Sequence, residues 1–89
     1  MSRQLLPFAM FPPGTKVRFK DALDRAPDFT VPAGALGVVM VVDEEFERIV
    51  VKVTSPEVPG LTDDPEWKGE VIFCLPEGDD PVADLEVVA

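Results

Sequence analysis

The chain has 89 residues, room for one domain, and a formal net charge of −9 with no histidine. That charge excludes broad binding to nucleic acid, where phosphate contacts need a basic face, and docking on anionic membranes. A domain this short buries only about 60–65% of the surface its unfolded chain exposes. Its core is thin, and association with a partner or with another copy would help it.

Ten prolines and six glycines interrupt the chain too often for long helices. The one cysteine, Cys74, excludes an intrachain disulfide. It stands in the apolar run Val71-Ile72-Phe73-Cys74-Leu75 and reads as a packed small hydrophobe. No apolar run approaches the roughly 18–20 residues of a membrane span. The N-terminus makes a poor signal peptide, so a cytoplasmic setting is expected.

In chain order, residues 1–14 form an apolar arm carrying Leu5, Leu6, Phe8, Met10 and Phe11, followed by one domain over 15–89. Pro7 and the Pro12-Pro13 pair oppose a helix in the arm. The arm is too apolar for a disordered tail and is expected to pack on its own domain or on a neighbour. Residues 15–20 predict a strand, with Val17 and Phe19 alternating with Lys16, Arg18 and Lys20. Residues 21–35 read as a long loop anchored by Phe29 and Val31, with a possible helical turn over 21–25 and a turn at Pro32-Ala33-Gly34.

Residues 36–43 predict a second strand with Leu36, Val38, Met40 and Val42 inward. Residues 48–54 predict a third, with Ile49, Val51 and Val53 inward, so the two form a hairpin. A second long loop spans 55–69. Residues 70–75 predict a fourth strand with Val71, Phe73 and Leu75 inward. An acidic turn, a short 3₁₀ turn at Pro81-Val82-Ala83-Asp84 and a closing strand over 85–88 complete the chain. Five short strands with no convincing helix predict an all-β domain, and closing such a sheet into a small barrel reduces its exposed edges.

The series Gly14-Thr15-Lys16-Val17-Arg18-Phe19, Gly34-Ala35-Leu36-Gly37-Val38-Val39, a hairpin, and Asp84-Leu85-Glu86-Val87-Val88 resembles the SH3-like small β-barrels of bacteria. The resemblance implies a five-stranded SH3-like barrel with a 3₁₀ turn before the last strand and an N-terminal arm. The segment Pro81-Val82-Ala83-Asp84-Leu85-Glu86 is also remotely similar to the ending of the type II dihydrofolate reductases carried on integron cassettes. Those enzymes are homotetramers with a Val-Gln-Ile-Tyr catalytic strand. Here the matching stretch is Val71-Ile72-Phe73-Cys74, without the glutamine or the tyrosine, so the resemblance carries no catalytic residue.

With no histidine, no nucleophile–base pair and no phosphate-binding loop, the sequence predicts no catalytic residue, no cofactor and no metal site. Asp63, Asp64 and Glu66, and the Asp79-Asp80 pair, lack the spacing of a calcium loop and read as solvated turns. The function expected is a protein-interaction or self-assembly module. Asp28 and Phe29 in the first long loop, and Glu66 and Trp67 in the second, are the candidate partner-binding residues, because loop aromatics form the grooves of peptide-binding domains. The alternative expectation is an oligomeric small-ligand binder or enzyme with its site between subunits.

A second apolar face is expected on the outside of the sheet, from Val39, Val41, Val50, Ile72 and Cys74. It requires cover from the arm or from another subunit. Leu6, Phe8, Phe11, Val39, Val41 and Ile72 are therefore the candidate self-association residues of a homo-oligomer.

Overall fold

A computed structural model describes residues 5–25 and 29–88. Among the described residues seven short strands and two brief α-helices follow in the order α1 (Leu5–Met10), β1 (Lys16–Phe19), β2 (Leu23–Arg25), β3 (Phe29–Val31), β4 (Leu36–Asp43), β5 (Arg48–Ser55), β6 (Glu70–Cys74), α2 (Pro81–Asp84) and β7 (Leu85–Val87), with 3₁₀ turns at Val58–Gly60 before β6 and Leu75–Glu77 after it. Five of the strands form one antiparallel sheet in the order β6-β5-β4-β1-β7. β2 and β3 form a separate two-stranded hairpin. The fold is all-β and barrel-like, wrapped around one apolar core.

That core is built from alternating residues. Val17 and Phe19 of β1, Ile49, Val51 and Val53 of β5, Val71 and Phe73 of β6 and Leu85 of β7 are all buried. Phe19 and Phe73 face each other across it with ring centroids 6.4 Å apart. No polar or charged residue is buried among the described residues. The interior is therefore held by apolar burial, which stabilises at about 25 cal/mol per Å².

Three expectations are corrected. The arm contains a helix, α1, which takes Pro7 within its first turn, where the missing N–H has no partner to lose. Phe8 and Phe11 then enter the core of their own chain. Residues 23–25 are a strand, not part of a helical turn, because they pair with 29–31 in register. The turn before the last strand is α-helical rather than 3₁₀. Asp80 caps it, accepting from the Val82 and Ala83 N–H groups, and Pro81 stands at its first position.

The facing of β4 differs most from expectation. Val39 is buried, while Leu36 and Met40 are exposed. The register with β5 slips between Val39 and Val41, so the pleat changes phase there. After the slip Val42 packs against the core and Val41 faces out. Gly37 leaves no room for a side chain: a Cβ there would lie 2.8 Å from the Lys52 carbonyl oxygen.

Candidate functional site

The two long loops meet at one end of the sheet. The Thr30 N–H donates to the Leu61 carbonyl at 2.8 Å, and Phe29 pairs with Thr62 as an isolated bridge. The second loop is wound around Asp64. Its N–H donates to Thr62 Oγ1 at 2.8 Å, its Oδ1 accepts from the Glu66 N–H at 2.9 Å, and its carbonyl accepts from the Trp67 N–H at 3.1 Å. This winding delivers Trp67 onto Phe29. The rings stack with centroids 4.3 Å apart and planes 5° from parallel. Such a pair contributes about 0.5–1.5 kcal/mol beyond the area it buries. The indole N–H donates to the Glu70 carbonyl at 2.9 Å, which fixes the ring against β6.

Three open hollows surround the stack. One, of about 260 Å³, is lined by Arg25, Phe29, Asp64, Trp67, Glu70 and Ile72. A second adjoins Trp67 beside Val58, Pro59 and Pro65, and a third adjoins Phe29 beside Gly60 and Leu61. Asp63 lies on both of these last two. Ligand pockets that enclose small molecules run to roughly 300–1,000 Å³ and bury most of the ligand. Open hollows at the small end of that range suit successive side chains of an extended segment.

Phe29 and Trp67, named separately from the sequence, are thus brought together. Glu66 is exposed at the turn and lines none of these hollows, and Asp28 lies outside the described residues. Sequence reasoning missed Arg25 and read Asp79 as part of a solvated turn, whereas it is part-buried and bonded. Arg25 stands directly opposite Phe29 across the β2–β3 hairpin, and its Nη2 donates to Asp79 Oδ1 at 3.1 Å. The available signal was a single cation in a loop otherwise rich in aspartate. Close by, burial raises the Asp84 carboxyl above the ordinary carboxylate range, and the charges of Asp80, Asp79 and Asp21 push it the same way.

The second apolar face is smaller than expected. Phe8, Phe11 and Val39 are in the core, and nothing is described of the Leu6 side chain. What remains is a row across three strands, Val41 opposite Val50 opposite Ile72, with Val41 50% and Ile72 45% exposed. Val50 and Cys74 are half-buried. Among the described residues no group of three acidic, histidine or cysteine side chains is placed to hold a metal ion. No described helix is long and apolar enough to cross a membrane.

A family model described as the Nup188 SH3-like domain matches residues 1–46, just over half of the chain, from the arm to the tip of the β4–β5 hairpin. No curated protein and no solved structure matches. The matched half contains Phe29 and Arg25, whereas Trp67, Asp64, Glu70 and Asp79 lie beyond it.

Proposed function

Since the chain belongs to the Nup188 SH3-like domain family, we propose that it is a non-catalytic, cytoplasmic interaction module that grips an extended segment of another protein at the Phe29–Trp67 stack. The observation that carries this reading is the stack itself. Two aromatic rings from segments far apart in the sequence are held parallel at the surface, half-buried, with open hollows on their flanks. Rigid aromatic surface binds well because few rotamers are lost on contact.

A peptide-display library selected on the intact protein tests it. Enriched peptides should change the fluorescence of Trp67, the only tryptophan. The same peptides should lose binding at least tenfold against Phe29→Ala. A selection that enriches nothing, or peptides indifferent to Phe29→Ala, would end this reading.

The exposed row Val41–Val50–Ile72 favours a second reading, self-assembly through the outer face of the sheet. Light scattering should then show a dimer or larger species that Ile72→Lys converts to monomer. The likeness to type II dihydrofolate reductases supports only an inter-subunit ligand cleft of the same kind. Ile72 and Cys74 supply none of the polar groups such chemistry uses.

A further inference from the structure

We propose that Asp79 sets which partners the aromatic site accepts, by holding the Arg25 guanidinium to itself, and that the bound segment is consequently basic. This rests on the interaction reading above.

Arg25 and Phe29 share a register position on the β2–β3 hairpin, and both line the hollow beside Trp67. A guanidinium next to an aromatic ring is attracted to the ring face. Arg48 does this elsewhere in the molecule, lying 5.3 Å from the centre of the Phe46 ring. An unrestrained Arg25 would have the same choice at Trp67, and it would occupy the place of a partner's cation.

Asp79 prevents this. Its Oδ1 takes the Arg25 Nη2 at 3.1 Å. Its Oδ2 accepts the Cys74 N–H at 2.8 Å, and its own N–H donates to the Cys74 carbonyl at 3.2 Å. Asp79 is therefore fixed to the end of β6 by its carboxylate and by its own N–H, independently of Arg25. The ion pair is part-buried, the two side chains being 35% and 25% exposed, so solvent screens it less than a surface pair.

With Arg25 neutralised, the charges that line the hollow are the carboxylates of Asp64 and Glu70, and Asp63 adds a third in the adjoining hollows. The Trp67 indole N–H is already committed to the Glu70 carbonyl and offers no donor to an acidic ligand. What remains is an aromatic face edged by acceptors. A flat guanidinium satisfies both parts of that surface, stacking on the ring and pairing with a carboxylate.

The test titrates the intact protein with three peptides of equal length, proline–arginine, proline–glutamine and proline–glutamate repeats, read by Trp67 fluorescence at fixed ionic strength. The arginine peptide should bind at least tenfold more tightly than the glutamine peptide, and the glutamate peptide not at all. Asp79→Asn keeps an oxygen for the Cys74 N–H but loses the charge that holds Arg25, and it should weaken the arginine peptide about tenfold. Arg25→Gln should bind that peptide several-fold more tightly than the unaltered chain. In the Arg25→Gln background the further change Asp79→Asn should have little effect. Glu77→Gln, which removes the same charge without touching Arg25, should also have little effect.

Equal losses from Asp79→Asn with and without Arg25 would overturn the proposal while leaving the interaction reading intact. So would a loss from Glu77→Gln as large as that from Asp79→Asn. Failure of all three peptides to perturb Trp67 would count against the basic segment, whereas an empty display selection removes the interaction reading itself.

Discussion

Two aromatic contacts at the surface are made in opposite ways. Phe46 and Arg48 lie two residues apart at the tip of the β4–β5 hairpin, and Phe46 is 60% exposed. Asp43 ties the two together within that tip, accepting the Phe46 N–H and the Arg48 Nη2, each at 3.2 Å, while the Leu75 N–H donates to the Glu47 carbonyl at 3.0 Å. Phe29 and Trp67 come instead from the β2–β3 hairpin and the loop before β6, joined by the Thr30–Leu61 bond and seated against β6 through Glu70. The first contact joins residues of a single turn, and Asp43 holds it from within that turn. The second exists only once the sheet is assembled, so its geometry depends on the core beneath it.

Breaking the core should therefore break the distant contact and spare the local one. Phe73→Ala removes a fully buried ring and should destabilise by about 3–5 kcal/mol. Chemical denaturation would measure that loss, and the Trp67 emission of the stacked state should disappear in the same transition. Gly37→Ala forces a methyl against the Lys52 backbone, with a cost of about 1–3 kcal/mol in the same assay.

Asp84 sharpens the comparison through charge. Its carboxyl is held above its ordinary value of 3.8, by burial first and then by Asp80, Asp79 and Asp21. The ionised form is thus less favourable folded than unfolded. Its contribution to stability is fully present below the unfolded pKa and is lost as pH rises through the raised folded value. Asp84→Asn should raise the melting midpoint slightly at neutral pH, and the gain should close as pH falls through that raised value. A gain independent of pH would assign the effect to something other than this carboxyl. Phe46→Ser should have the smallest effect, within about 0.5 kcal/mol, and should leave Trp67 fluorescence unchanged.

The sheet was legible where one face is apolar and the other is not. In β1, Val17 and Phe19 alternate with Lys16 and Arg18, and the structure follows that alternation. Across the sheet Arg18 pairs with Glu86 at 3.0 Å, as oppositely charged neighbours on adjacent strands do. β4 was not legible in the same way. The run Val38-Val39-Met40-Val41-Val42 is apolar in both phases, so periodicity carries no information about facing, and a slip in register then exchanges the faces partway along. β2 was hidden because three residues become a strand only through their partner. The site was half legible. Loop aromatics stand out in a sequence, whereas the pairing of Arg25 with Asp79 joins residues on different elements whose neighbours along the chain say nothing of each other.

The bonds that seat Trp67 and Asp79 also have a consequence for how this chain survives at high concentration. β6 is the outermost strand on its side of the sheet, the usual place for copies of a protein to zip together into aggregates. Its alternate residues 70, 72 and 74 turn their backbone groups toward that border. The indole N–H takes the carbonyl of Glu70, and Asp79 takes both the N–H and the carbonyl of Cys74. Between these two bonded positions Ile72 offers a landing place too short for an incoming strand to build a ladder. The residues of the proposed recognition surface thereby also obstruct the edge along which copies of this chain would pair into fibres.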